Sequence, residues 1–182
     1  MLERKKRFET YAVRRVLIVG IVCLLIQNIA KGQDRDVHRF QKLFIYNFSK
    51  FIKWPENYKE GDFVIGVLGD APIKKHLDQM ASEKKAGAQN FVIKTFKSAT
   101  EITKCHILYI PSRKSGTLPD CIAKVKNTAT LIITEKPGMG KVGSSINFLI
   151  VDGKPRFELN RQVIDDSNLR VSSELTKLAI LI

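Results

Sequence analysis

The three histidines of the chain, His38, His76 and His106, are the side chains best suited to proton transfer or metal binding near neutral pH. They lie far apart in the sequence, and no HxH or HxxxH spacing places two imidazoles on one face of an element. His106 lies inside the apolar run CHILYI, which is typical of a hydrogen-bonded structural histidine. The sequence therefore predicts no metal site.

The serines and paired acids give no recognisable catalytic group. The pair Ser144-Ser145 lies outside any G-x-S-x-G motif, and the sequence places no base beside it. The pair Asp165-Asp166 is typical of a solvated helix face rather than an acid–base dyad. We therefore expect no catalytic residues and a protein that is not an enzyme.

Two glycine-rich stretches have some features of phosphate-binding loops. GVLGD (66–70) follows a predicted strand and opens a predicted helix, but it lacks a third glycine, and Asp70 would repel phosphate. PGMGKVG (137–143) contains Gly140-Lys141, but Val142 replaces the Ser or Thr of a P-loop, so we expect a flexible turn. Neither stretch predicts a cofactor.

The first 32 residues have the layout of a secretory signal peptide. Basic residues crowd residues 1–15, the apolar run VLIVGIVCLLI follows at 16–26, and Ala30-Lys31-Gly32 provides a small-residue cleavage site. The apolar run is shorter than the ~20 residues that a membrane span requires. We expect residues 1–32 to be removed and residues 33–182 to form one domain outside the cytoplasm. An uncleaved membrane anchor is the alternative.

The chain is strongly basic, with a formal net charge of +13 and a pI near 9.8. Residues 1–32 carry seven Lys or Arg and two Asp or Glu, which leaves eight excess positive charges on the rest. That excess suits an acidic partner or an anionic lipid surface. Nucleic acid is not an expected partner, because the basic residues are dispersed and no Arg-rich or RNP-like motif is present.

The stretch VHRFQKLFIYNFSKFIKWP (37–55) predicts the helix around which the domain is organised. Its apolar side chains recur at steps of three and four, which places them on one helix face: Val37, Phe40, Phe44, Phe48 and Phe51. Asp34 or Asp36 is suited to cap its start, and Trp54-Pro55 is expected to end it.

Short apolar runs at 63–69, 90–96, 105–110 and 129–134 then alternate with helical segments, which predicts a parallel sheet. After residue 143 two strands are joined at Asp152-Gly153, a hairpin signal. Asp70, Asn160 and Ser172 are candidate caps of later helices, and the last helix carries Leu175, Leu178, Ala179 and Ile182 on one face. The predicted fold is a three-layer α/β sandwich, with a mostly parallel sheet, a C-terminal antiparallel hairpin and helices on both faces.

In such folds ligands bind in the crevice at the carboxyl ends of the strands. Here that crevice lies near Gly69, Asp70 and Pro111. Two cysteines remain after the predicted cleavage, Cys105 and Cys121. An oxidising compartment permits a disulfide between them, but a strand start and a helix start tend to lie at opposite ends of a βα unit. The sequence leaves open whether they pair or remain two buried thiols.

Five separated stretches together resemble the YfiR-like family of exported bacterial proteins: YNFSKFIKWP (46–55), VLGD (67–70), CHILYI (105–110), INFLIVDGKPRFELN (146–160) and LRVSSELTKLAILI (169–182). The resemblance implies a non-enzymatic periplasmic regulator that binds the sensor region of a membrane signalling protein, a diguanylate cyclase or a sensor kinase. With a cyclase as partner it would keep cyclic di-GMP, and hence biofilm formation, low. The resemblance also implies a homodimer. The alternative is a periplasmic small-molecule-binding module that uses the crevice at Gly69, Asp70 and Pro111.

Overall fold

The computed structural model describes residues 37–182, so the predicted signal peptide and the predicted cap at Asp34 or Asp36 lie outside the described residues. Helix α1 covers residues 37–51. The other helices are α2 (Ile73–Glu83), α3 (Leu118–Val125), α4 (Met139–Val142), α5 (Arg161–Asp166) and α6 (Ser173–Leu178), and 3-10 turns occupy Glu56–Tyr58, Ala99–Glu101 and Ser112–Thr117. The strands are β1 (Ile52–Lys53), β2 (Phe63–Leu68), β3 (Lys85–Ala86), β4 (Gln89–Phe96), β5 (Ile107–Ile110), β6 (Leu131–Thr134), β7 (Ile146–Val151), β8 (Lys154–Leu159), β9 (Arg170–Val171) and β10 (Ile180–Leu181).

Eight of these strands form one sheet in the order β10-β8-β7-β6-β5-β2-β4-β3. The strands from β4 to β7 pair in parallel, and β8 returns antiparallel to β7 through the Asp152-Gly153 turn. Both turn residues have the positive φ of a tight hairpin, 49° at Asp152 and 71° at Gly153. The predicted α/β fold, with a mostly parallel sheet and a C-terminal hairpin, is confirmed.

Two apolar layers cover the two faces of the sheet, because successive strand residues point to opposite sides. Side chains from α1, α2, α5 and α6 pack on one face, where Ile65, Ile107 and Phe157 contribute from the strands. Side chains from α3 pack on the other face, with Leu108 and Ile132. The three-layer arrangement is therefore built from alternating residues of the same strands.

Helix α1 ends earlier than Trp54-Pro55 predicts. Residues Ile52 and Lys53 leave the helix and pair antiparallel with Val171 and Arg170 of β9. The fully buried face of α1 is also rotated from the predicted stripe, since it consists of Gln41, Ile45 and Phe48, and it continues into Ile52 of β1. The other phenylalanines of the stripe are partly buried. The Phe44 ring, for example, lies 4.4 Å from the Phe40 ring and 4.9 Å from the Phe157 ring, measured between centroids.

The predicted caps have different outcomes. Asn160 accepts a hydrogen bond from the Val163 amide at 3.1 Å, and Ser172 accepts one from the Leu175 amide at 3.3 Å, so both caps are confirmed. Asp70 is not a cap, because α2 begins after Pro72 without a side-chain cap.

Two further expectations are wrong in part. The stretch at 137–143 is not only a turn, because it contains the short helix α4. The chain leaves α6 at Ala179 to form β10, so Leu178 and Ile182 remain 54% and 39% exposed rather than buried on one helix face. Within residues 37–182, no helix has the length and apolar character that crossing a membrane requires.

Candidate functional site

The carboxyl ends of β2 and β5 lie next to each other, because these strands are parallel neighbours at the centre of the sheet. Gly69 and Asp70 follow β2, and Pro111 follows β5, so the fold brings the three predicted crevice residues to one edge. The chain order also reverses here, since β4 and β5 lie on opposite sides of β2. This is the position at which open α/β sheets bind ligands.

The turn Ser112–Thr117 covers this edge of the sheet. The side chain of Lys114 lies over Gly69, where an added Cβ would be 3.1 Å from Lys114 Cε. Arg113 Nη2 lies 4.0 Å from Asp70 Oδ2, and both side chains are largely exposed. Pro111 itself is buried. A ligand at the predicted crevice would therefore have to displace side chains of this turn.

A polar network beneath the same edge joins α1 to the strand ends. Glu135, directly after β6, accepts hydrogen bonds from the Ser112 amide at 3.0 Å, from Gln41 Nε2 at 3.0 Å and from the Tyr109 hydroxyl. Burial, and then the nearby Glu135 carboxylate, raises the pKa of Tyr109, so its hydroxyl stays protonated as a donor. The network joins α1 to the ends of β5 and β6.

A groove lies at the opposite edge, where the strands begin. Its aromatic wall consists of Trp54, Tyr58, Phe63 and His106. Basic side chains outnumber acidic ones around it, with Lys53, Lys59, Lys104 and Arg170 against Glu56 and Asp165. Lys104 Nζ lies 4.2 Å from the centre of the Tyr58 ring and donates to the Asn57 carbonyl. Of the four aromatic side chains only Trp54 is partly exposed, because Tyr58, Phe63 and His106 are buried, so the accessible part of the groove is mainly its basic rim.

His106 has the structural role that its sequence position indicates. Its Nδ1 accepts from the Val64 amide at 3.1 Å, so Nε2 is the protonated nitrogen that donates to the Tyr58 carbonyl at 2.8 Å. Burial is the main cause of a lowered pKa at His106, which keeps the ring neutral. The ring ties the start of β5 to β2 and to the Glu56–Tyr58 turn.

Cys105 and Cys121 are both free thiols, and both are buried. They contribute to the same apolar cluster beside α3, where Cys121 Sγ lies 3.9 Å from Thr117 Oγ1. Burial raises the pKa of Cys105 to about 12, and it also raises the pKa of Cys121. Of the two alternatives from the sequence, the structure contains the buried thiols.

The other motifs with catalytic potential have structural roles. Ser144 Oγ accepts from Thr134, and Ser145 Oγ accepts from the Ile132 amide, so both hydroxyls lie in buried hydrogen bonds. Asp165 and Asp166 are exposed on α5, where Asp165 faces Arg161 at 3.5 Å. In the part of the chain from residue 37 onward, no three His, Cys, Asp or Glu side chains are grouped as metal ligands.

Sequence reasoning missed the network around Glu135 and the groove around Trp54. A polar Gln41 on the buried side of an otherwise apolar helix was the available signal for the first. The second depends on contacts between α1, β9 and the strand starts, which no local pattern specifies.

The described residues form an α/β domain in which His106, Ser144 and Ser145 take part in hydrogen bonds of the fold. A family model described as YfiR/HmsC-like matches residues 38–180, and the chain belongs to that family. The family is regulatory, periplasmic and associated with membrane signalling proteins.

Two solved structures resemble part of the chain at low sequence identity. The ABC domain in complex with L-Trp from Streptococcus pneumonia has a TM-score of 0.48 and 12% identity, over 65% of this chain and 54% of that one. A conserved domain protein from Vibrio cholerae O1 biovar eltor has a TM-score of 0.47 and 10% identity, with the same coverage. The chain thus spans about half the length of these two structures. No curated protein matches the chain.

Proposed function

We propose that this protein is a non-enzymatic periplasmic regulator that binds the periplasmic sensor region of a membrane signalling protein. The observation that carries the proposal is the family match, which spans nearly all of the described residues. The described residues agree with it, because the buried side chains of His106, Ser144 and Ser145 serve hydrogen bonds of the fold.

A membrane-bound diguanylate cyclase is the partner that we propose, with a sensor kinase as the other candidate. By binding the cyclase the protein would hold it inactive and keep cyclic di-GMP low. The proposal includes export through residues 1–32 and self-association into a homodimer, which cell fractionation and analytical ultracentrifugation test separately.

The functional test compares cyclic di-GMP in host cells with and without the gene. We expect loss of the protein to raise cyclic di-GMP, and we expect the full chain to restore the low level. A version without residues 1–32 serves as the control, since it would remain on the wrong side of the membrane. Unchanged cyclic di-GMP in the deletion strain would contradict the cyclase as partner, and rescue by the control version would contradict action in the periplasm.

The small-molecule alternative remains open to a direct test at the crevice of Gly69, Asp70 and Pro111. A ligand there would compete with the Lys114 and Arg113 side chains that now cover it. Thermal melting against a metabolite set, with Lys114→Ala as the opened variant, tests it. A metabolite that raises the melting temperature of Lys114→Ala more than that of the wild type would favour the alternative. Melting temperatures that no metabolite changes in either protein would count against it.

A further inference from the structure

Helices α1 and α2 bring the remaining two histidines together at the surface. The His38 and His76 rings lie 6.0 Å apart between centroids. Arg39, Lys42 and Lys75 lie near enough to act electrostatically on the His76 ring. We call these five residues the α1–α2 basic patch. Its members come from two helices, so the sequence spacing alone does not reveal it.

The patch has no acidic counterpart among the described residues that surround it. The groups whose electrostatic effect lowers the pKa of His76 are all basic: His38, Arg39 and Lys42 from α1, and Lys75 from α2. The nearby acid of α2, Asp78, is paired with Lys74 at 2.7 Å. Glu135 lies on the inner side of α1, where its carboxylate accepts hydrogen bonds from Gln41 and Tyr109. Among residues 37–182, Arg39, Lys42 and Lys75 form no salt bridge with an acidic side chain.

The two helices that carry the patch are anchored in the fold by buried side chains. Gln41 is buried and ties α1 to Glu135, while Ile73 and Leu77 of α2 are fully buried in the core. Charges fixed on such elements lose little conformational freedom when they meet a ligand, which favours binding. Leu43, one turn from Arg39 on α1, is 53% exposed and adds an apolar contact at the margin of the patch.

We propose that the α1–α2 basic patch binds an acidic segment of a protein partner, whose carboxylates meet the basic side chains while an apolar residue covers Leu43. The inference rests on the proposed function for the identity of the partner, but the charge complementarity stands on the patch itself. A membrane surface fits less well, because Leu43 is the one large apolar side chain of described α1 that is strongly exposed.

Docked carboxylates would also stabilise the protonated form of His76. In the free protein, burial and then the basic neighbours lower the pKa of His76, so the ring is neutral at neutral pH. A bound acidic segment would raise that pKa, so binding takes up protons and tightens as the pH falls. The patch therefore links the strength of docking to the acidity of the surroundings.

The test uses the chain as purified from its host and a fluorescein-labelled peptide made of glutamate and leucine, with binding followed by fluorescence anisotropy. The patch variant combines Arg39→Gln, Lys42→Gln and Lys75→Gln. The matched control removes the same charge from elements that pack on the other sheet face, with Lys124→Gln, Lys126→Gln and Lys141→Gln. Circular dichroism checks that both variants fold.

We expect the patch variant to bind at least about fivefold more weakly than the wild type and the control to bind normally. We expect wild-type binding to tighten between about pH 7.5 and about pH 5.5, and His76→Gln to reduce that change. Equal loss in both triple variants would overturn the proposal in favour of net charge alone. Absence of patch-dependent peptide binding would also overturn it, as would patch-dependent binding to phosphatidylglycerol vesicles without peptide binding.

The same variants separate this inference from the proposed function. If the patch variant captures a signalling protein from solubilised membranes as well as the wild type does, the patch is not the docking surface and the proposed function stands. If the wild type captures no signalling protein while the peptide result holds, the patch stands and the proposed function fails.

Discussion

At the residue scale, His106 shows how a titratable side chain can serve folding alone. Its two hydrogen bonds, to Val64 and Tyr58, require the neutral ring with the proton on Nε2. A protonated ring could no longer accept from the Val64 amide and would place a charge in a buried site. The sequence indicated this role correctly, because an isolated histidine within an apolar strand has few other partners than backbone groups.

This arrangement predicts acid sensitivity. Folding lowers the pKa of His106, so below about pH 6.5 the unfolded chain binds more protons than the folded one, and the free energy of unfolding falls as the pH drops. We expect His106→Gln to be about 1–3 kcal/mol less stable at neutral pH and to lose less stability between about pH 7 and about pH 5. Urea unfolding across that range measures both, and an unchanged pH dependence in the variant would contradict the assignment.

The cysteines give a second prediction at this scale. Burial raises the pKa of Cys105 to about 12 and also that of Cys121, so neither thiolate is available at mildly alkaline pH. We expect iodoacetamide to leave both thiols unlabelled in the native protein and to label both after denaturation in guanidine. Rapid native labelling would contradict the buried-thiol assignment. A mass two hydrogens lower under non-reducing conditions would instead support the alternative, a disulfide between Cys105 and Cys121.

At the element scale, the parallel strands and the capped short helices could be predicted because their signals are local. Asn160 and Ser172 cap the helices that follow them, and Asp152-Gly153 has turn chemistry that specifies the hairpin. The end of α1 could not be predicted, because Ile52 leaves the helix to pair with Val171, more than a hundred residues later. The pairing with β9 therefore ends the helix before the chain reaches the local stop signal at Trp54-Pro55.

Close packing between β2 and its neighbours gives a prediction for one glycine. A Cβ at Gly66 would lie 2.5 Å from Phe96 Cε2, and Phe96 is buried, so its ring has little room to move. We expect Gly66→Ala to destabilise the protein by about 1–3 kcal/mol. The matched control is Gly116→Ala, where an added Cβ meets nothing within 4 Å. Equal urea midpoints for the two variants would contradict the packing described here.

At the scale of the whole molecule, the alternation of strands and helices was enough to predict the layered fold, and the five separated stretches were enough to indicate the family. The groove and the basic patch were harder to predict from the sequence. The groove around Trp54 and the α1–α2 basic patch both join residues from separate elements, such as His38 and His76. Neither surface has a local motif, so only the folded arrangement reveals it.

The most direct test of the central proposal is affinity capture from solubilised membranes of the host, with the tagged protein cross-linked in living cells. We expect mass spectrometry to recover a membrane protein that has a periplasmic sensor region and a cytoplasmic cyclase or kinase domain. A tagged periplasmic protein of similar charge serves as the control. Recovery of no such signalling protein, or equal recovery with the control, would contradict the account.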